Sequence, residues 1–245
     1  MTDRVDVSAR TDVGCVRDLN EDSFLAKDPV FVVADGVGGH ARGEVASRTA
    51  VESLAKQLPA GSLPDAERVI EAIETANREV RALSAVDGMG TSVAGTTLTG
   101  VIRVAQRAGD GDRWMVVNVG DSRVYSWDGH SLEQLTTDHS AVQELVDAGI
   151  ITPDQAQNHP DRNIITRALG SDGGVDVDAI FIPEVDLACF LICSDGLTRE
   201  LSDDRIAEIL SENPENVADS LVNAAIDAGA HDNVTVLFVS PVSAD

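Results

Sequence analysis

Four aspartates stand where an apolar run meets a turn. Phe31-Val32-Val33-Ala34 runs into Asp35-Gly36, Val116-Val117-Asn118-Val119-Gly120 into Asp121, and Cys189-Phe190-Leu191-Ile192-Cys193-Ser194 into Asp195-Gly196. The fourth, Asp232, stands just before Val234-Thr235-Val236-Leu237-Phe238-Val239. Short runs rich in β-branched and aromatic residues read as buried strands, so each carboxylate is delivered to the rim of a sheet. A single Asp-Gly after a strand is an ordinary turn, because glycine accepts φ > 0 and aspartate hydrogen-bonds its own backbone. Four that could converge on one edge are another matter. Clustered carboxylates repel one another unless something positive lies between them, and hard oxygen donors suit a pair of Mg²⁺ or Mn²⁺ ions.

Residues 11–24 are crowded with polar groups and carry one positive charge, Arg17. Its planar guanidinium can grip two phosphate oxygens at once. An ion pair with Asp18, Glu21 or Asp22 is the alternative, and spacing alone leaves the two readings level. Arg42 and Arg123 read as structural ion pairs inside their turns. Zinc is not expected, because the five histidines and three cysteines lack the short fixed spacings of zinc ligands. Nor is a cysteine-based phosphate loop expected around Cys15, Cys189 or Cys193. Cys189 and Cys193 lie inside an apolar run and read as core residues.

The elements that must position these groups follow from periodicity. Helical spacing marks 44–58, 65–83, 202–210 and 216–228. Strands are expected over 5–10, over 24–26 paired with 31–35 across Asp28-Pro29, and over 96–104 returning as 114–119 after the Gly109-Asp110-Gly111-Asp112 turn. A hairpin over 122–127 and 132–135 turns at Asp128-Gly129, and further strands cover 175–182, 187–194 and 234–239. Residues 138–167 read as a small helical insert, a candidate flap. Strands and helices are grouped rather than strictly alternating, which favours α+β with antiparallel sheets. With no repeat or low-complexity linker, residues 1–245 are expected to form a single domain, large enough to bury roughly 70–75% of the unfolded surface.

The formal net charge is −24, from 42 acidic and 18 basic residues. Such a field disfavours nucleic acid and anionic membrane surfaces. It also requires metals and a local arginine to invert the sign wherever an anionic substrate binds. An odd count of three cysteines argues against a disulfide framework. The first residues form no apolar signal region, and no stretch approaches ~18 apolar residues, so a cytoplasmic protein is expected.

The set Arg17-Asp18-Leu19-Asn20-Glu21-Asp22, Asp35-Gly36-Val37-Gly38-Gly39, Gly120-Asp121-Ser122-Arg123, Ser194-Asp195-Gly196-Leu197 and Asp232-Asn233-Val234-Thr235 resembles the metal-dependent type-2C Ser/Thr protein phosphatases, the PPM family. The motifs occur in the family's order across nearly the whole chain. Gly36-Val37-Gly38-Gly39-His40 and Gly88-Met89-Gly90-Thr91 resemble its bacterial branch. The resemblance implies a four-layer α/β/β/α sandwich, two central antiparallel sheets flanked by antiparallel helix pairs, with metals at one end. It implies that Asp35 bridges two metals and that Gly36 lends its carbonyl to one. Asp195 and Asp232 would complete the other metal's ligands, and Asp121 would share a third metal with Asp195. Glu21 and Asp22 would hold metal-bound waters, and Arg17 would bind the substrate phosphate. The implied cofactors are Mn²⁺ or Mg²⁺, two per chain and a third in bacterial members.

The implied reaction is hydrolysis of phosphoserine and phosphothreonine by direct attack of a metal-bridging water. The implied partners are phosphorylated proteins, Ser/Thr kinases or their targets, and a monomer is expected. Two positions depart from the family. Val37 stands where animal members carry a histidine acid, which leaves His40 as the candidate, and Thr91-Ser92 replaces a threonine pair. A catalytically silent phosphoprotein-binding relative is the competing reading. Such relatives lose a metal aspartate, and none is missing here.

Overall fold

The computed structural model describes residues 4–37, 42–87, 90–92, 94–105, 113–171, 173–183, 189–212 and 214–242. The Gly109–Asp112 turn lies outside them. One antiparallel sheet has the order β1 (Arg4–Asp12), β13 (Val234–Val242), β12 (Cys189–Cys193), β9 (Arg123–Trp127), β10 (Leu132–Gln134). The second runs β11 (Asp178–Pro183), β8 (Arg113–Val119), β7 (Leu98–Val104), β3 (Val30–Val37), β2 (Asp22–Lys27), with β6 (Gly95–Thr96) pairing the end of β3.

Side-chain alternation explains why the central strands look apolar without interruption. On β3, Val30, Val32 and Ala34 face α1 (Arg42–Gln57) and α2 (Ala66–Arg81), while Phe31 and Val33 face the other sheet. On β12, Leu191 and Cys193 face α6 (Asp203–Ser211) and α7 (Val217–Ala228), while Phe190 and Ile192 point inward to meet Phe31 and Val33. Trp114 sits between Phe31 and Phe190, with ring centroids 6.0 and 5.2 Å away. Three apolar layers therefore separate four layers of backbone, and the expected α/β/β/α sandwich is present.

The helices form on the expected stripes. Asp65 caps α2, Ser202 caps α6 and Asn216 caps α7, each side chain accepting from the backbone three residues on. The insert holds α3 (Ala141–Asp147) and α4 (Pro153–Gln157), the latter with a full capping box between Thr152 and Gln155.

Several boundaries move. The strand expected over 96–104 is broken at Thr97, and β11 starts at Asp178 rather than residue 175. β4 (Ala85–Asp87) and β5 (Gly90–Ser92) pair where periodicity marks no strand. Asp195 begins a one-turn helix, α5 (Asp195–Thr198), instead of a plain turn.

Candidate active site

Each strand that ends at this edge of the sandwich carries a polar residue into the layer between the sheets. Asp35 continues the Phe31–Val33 series, Ser194 continues Phe190–Ile192, and Thr235 precedes Leu237 and Val239. Asp22 stands opposite Asp35 in the β2–β3 register. Alternation alone thus turns an apolar interior into a polar end.

Hydrogen bonds from neighbouring strands and loops hold these groups in place. Asp22 Oδ2 accepts from Ser194 Oγ and Thr235 Oγ1, both at 2.7 Å. The Asp35 backbone is clamped at its amide by Thr97 Oγ1 (2.9 Å) and at its carbonyl by the Thr97 amide (2.8 Å) and Thr96 Oγ1 (2.9 Å). That clamp is the reason for the break at Thr97. Asn233 accepts from the Glu21 amide at 2.8 Å and donates to the Val13 and Leu19 carbonyls at 2.9 and 3.0 Å. The loop that bears Arg17 is thereby tied to the start of β13. At Gly36 a Cβ would come within 2.3 Å of the Gly43 carbonyl, so only glycine lets β3 pass the first turn of α1. Glu21 is held there by the Gly43 and Glu44 backbone amides, yet burial keeps its carboxyl above the ordinary 4.5 despite Arg17 nearby.

The carboxylates repel one another. Burial first, then Asp22, Asp195, Asp121 and Asp232, push Asp35 well above the ordinary aspartate value. Asp121 is pushed up to about 7 by burial and Asp195, and Asp22 to about 7 by burial, against its two hydroxyl donors. Asp195 is raised by burial and Asp232, with Arg199 opposing. Two buried oxygens, Asp22 Oδ1 and Asp195 Oδ1, have no hydrogen-bond partner among the described residues. Buried acceptors without donors are costly, and in a cluster of carboxylates they are what a bound cation would satisfy.

Two guanidinium groups meet part of this charge. Arg17 Nη2 donates to Asp232 Oδ2 at 2.7 Å from a side chain about half exposed. Arg199 Nη1 donates to the same oxygen at 3.2 Å, and its Nη2 pairs with Asp195 Oδ2. With the carboxylates so disposed, no group of three or more His, Cys, Asp or Glu side chains among the described residues is set to hold a metal as it stands. The donor chemistry nevertheless fits hard divalent ions, all oxygen and in excess of the positive charge present.

The protein phosphatase 2C family model matches residues 17–226. The chain belongs to that family. The serine/threonine phosphatase stp of Listeria monocytogenes serovar 1/2a is 40% identical over 94% of this chain and 93% of its own length. The serine/threonine protein phosphatase PstP of Mycobacterium tuberculosis is 38% identical over 97% of this chain and 45% of its own. The crystal structure of the PPM Ser-Thr phosphatase MsPP from Mycobacterium smegmatis, in complex with cacodylate, superposes with a TM-score of 0.84 at 39% identity, covering 97% of this chain and 98% of that one. The PstP catalytic domain in complex with 2 manganese ions gives 0.79 at 36% identity, covering 98% and 99%.

In this type-2C phosphatase the fold brings Asp22, Asp121, Asp195 and Asp232 into electrostatic range of Asp35, with Glu21 and Arg17 beside Asp232. His40 lies outside the described residues. Arg17 pairs across the fold with Asp232, not with Asp18, Glu21 or Asp22. Arg42 donates to the Leu83 carbonyl at 2.7 Å and is no turn ion pair, whereas Arg123 pairs with Asp138 fifteen residues away. A correction concerns the cysteines. Cys193 and Arg199 do stand in Cys-x₅-Arg spacing, but Cys193 is fully buried, burial pushes its thiol up to about 12, and Arg199 is spent on carboxylates. A thiolate nucleophile is excluded on those grounds.

Three residues escaped sequence reasoning. Arg199 had a signal in its i+4 spacing from Asp195. Asn233 had only its place beside Asp232. His139 accepts from the Gly120 amide at its Nδ1 (3.1 Å), which leaves the proton on Nε2 to donate to Asp178 Oδ2 (3.1 Å), and so pins the Gly120-Asp121 turn to β11.

Proposed function

We propose that the chain acts as a divalent-metal-dependent phosphatase of phosphoserine and phosphothreonine in proteins, with Asp35, the Gly36 carbonyl, Asp121, Asp195 and Asp232 as its metal ligands. The observation that carries this is the set of buried, mutually repelling carboxylates, two of whose oxygens lack partners among the described residues, gathered beside a half-exposed arginine. The manganese-bound PstP relative supports the choice of ion. Two divalent ions, when bound, supply a nucleophile at neutral pH and neutralise phosphate charge.

The chain's own groups do the rest. Glu21 and Asp22 stand behind the ligands as acceptors for waters, Asp22 fixed by Ser194 and Thr235. Arg17, released from Asp232 as the cluster is neutralised, presents two parallel donors to the phosphate, which is how a protein of net charge −24 binds a dianion. His40 is the candidate acid for the serine or threonine leaving oxygen. Residues 138–167 flank the site, where a variable loop over a rigid scaffold selects the client. The working unit is one catalytic domain, a cytoplasmic monomer opposing Ser/Thr kinases on shared phosphoproteins. Among the described residues no helix is long and apolar enough to cross a membrane.

Phosphate release from a phosphothreonine peptide tests this. Release is expected with Mn²⁺, and none is expected in EDTA or from the Asp195→Asn variant. Turnover that survives chelation would overturn the proposal.

A further inference from the structure

We propose that Arg199 is an internal cation that competes with the metal ions for Asp195 and Asp232. The inference rests on the metal-site reading above and adds a residue that reading does not use.

The geometry is local and rigid. Arg199 follows α5 at i+4 from Asp195, on the same face, and its amide is locked to the Asp195 carbonyl at 2.8 Å. One arm of the guanidinium is on Asp195 Oδ2 and the other on Asp232 Oδ2 at 3.2 Å. Those two carboxylates are otherwise the pair assigned to one metal. Asp121 and Asp35 also lie within electrostatic range of the same guanidinium, so it sits amid four carboxyl groups. Arg17 touches only one of them, from a loop.

Arg199 leaves Asp195 Oδ1 open but occupies Asp195 Oδ2 and Asp232 Oδ2, and like charges a few ångströms apart repel, so a divalent cation bound between the two carboxylates is opposed by the guanidinium. Metal binding therefore displaces Arg199, and the ion pairs lost are subtracted from the metal's affinity. The side chain is 31% exposed, which gives it a way out towards solvent. In exchange, the protein without metal keeps its carboxylates partly compensated instead of repelling one another apart. Arg199 is thus a positioning residue that sets metal affinity. It is not a ligand and it does not grip phosphate.

Calorimetric titration with Mn²⁺ and thermal melts in EDTA test this on the wild-type chain, Arg199→Gln, Arg199→Lys and the control Arg48→Gln. Arg48 pairs with Glu44 on the exposed face of α1, so its variant makes the same change in net charge. Arg199→Gln is expected to bind Mn²⁺ about fivefold tighter or more, while Arg199→Lys stays near wild type and Arg48→Gln shifts by no more than about twofold. In EDTA, Arg199→Gln melts below wild type, and saturating Mn²⁺ closes the gap. Arg199→Met replaces Arg199→Gln if the latter does not fold. Equal or weaker Mn²⁺ binding by the neutral variant would overturn the inference alone, as would the same gain in Arg48→Gln. Absence of Mn²⁺ binding by every protein, wild type included, would overturn the metal-site reading and this inference with it.

Discussion

Asp138 and Asp195 each face an arginine, and the two pairs are built on opposite plans. Arg123 puts Nε and Nη2 on Asp138 at 2.7–3.1 Å, Gln134 adds a third donor, and the remaining Arg123 nitrogen reaches Tyr125 Oη, which donates in turn to Asp203. Every partner is matched. Around Asp195 the ratio is reversed, with one guanidinium set among four carboxylates and a buried oxygen left unpartnered among the described residues. A structural ion pair saturates its acceptors, whereas a site built for a ligand leaves acceptors over. The two aspartates are buried to a similar degree, so stoichiometry separates the places.

Substitution of the two aspartates should therefore have opposite consequences. Asp195→Asn is expected to lower kcat/KM on a phosphothreonine peptide by at least about a hundredfold. Its melting temperature in EDTA should match or exceed wild type, because a repelled charge is removed. Asp138→Asn should retain Mn²⁺ binding by calorimetry but lose about 3 kcal/mol in urea unfolding, since Arg123 is left buried without its carboxylate. Stability lost at Asp195 and kept at Asp138 would erase the contrast.

A pH series sharpens it. Asp22 and Asp121 are raised from an ordinary 3.8 to about 7 by burial, with Asp195 adding to each. In EDTA these acids hold protons more readily folded than unfolded. Their contribution is whole below pH 3.8 and is lost as pH rises through about 7. Melting temperature should fall across that window by roughly 5 °C or more, and Mn²⁺ should flatten the fall. An EDTA melt independent of pH between 4 and 7 would contradict the shifts.

The smallest effect is expected at His139. His139→Leu removes the acceptor for the Gly120 amide and should cost about tenfold in kcat/KM, while His139→Asn, which can still accept, should stay within about threefold. Equal losses would mean that the imidazole only fills space.

Much of this was legible in the sequence because strand alternation is a local rule. The parity of Phe31, Val33 and Asp35 places the carboxylate in the inter-sheet layer once the strand is recognised. The helix starts at Ser202 and Asn216 are legible because capping is local as well. What could not be read depends on pairing between distant elements. The break at Thr97 arises because its hydroxyl and amide clamp Asp35, 62 residues away. Asn233 works through carbonyls of a loop more than 200 residues earlier. Arg17 meets Asp232 rather than its acidic neighbours because the loop is tied over β13, a contact that no spacing within residues 11–24 reveals. Arg199 was legible at i+4 from Asp195, but its second contact, to Asp232, needs α5 packed on β13.

Anomalous scattering from crystals grown with Mn²⁺ tests the central claim most directly. The account predicts two strong manganese peaks at the polar end of the sandwich, one bounded by Asp35 and the Gly36 carbonyl, the other by Asp35, Asp195 and Asp232. Manganese found only elsewhere on the acidic surface, with Arg199 still bridging Asp195 and Asp232, would contradict it.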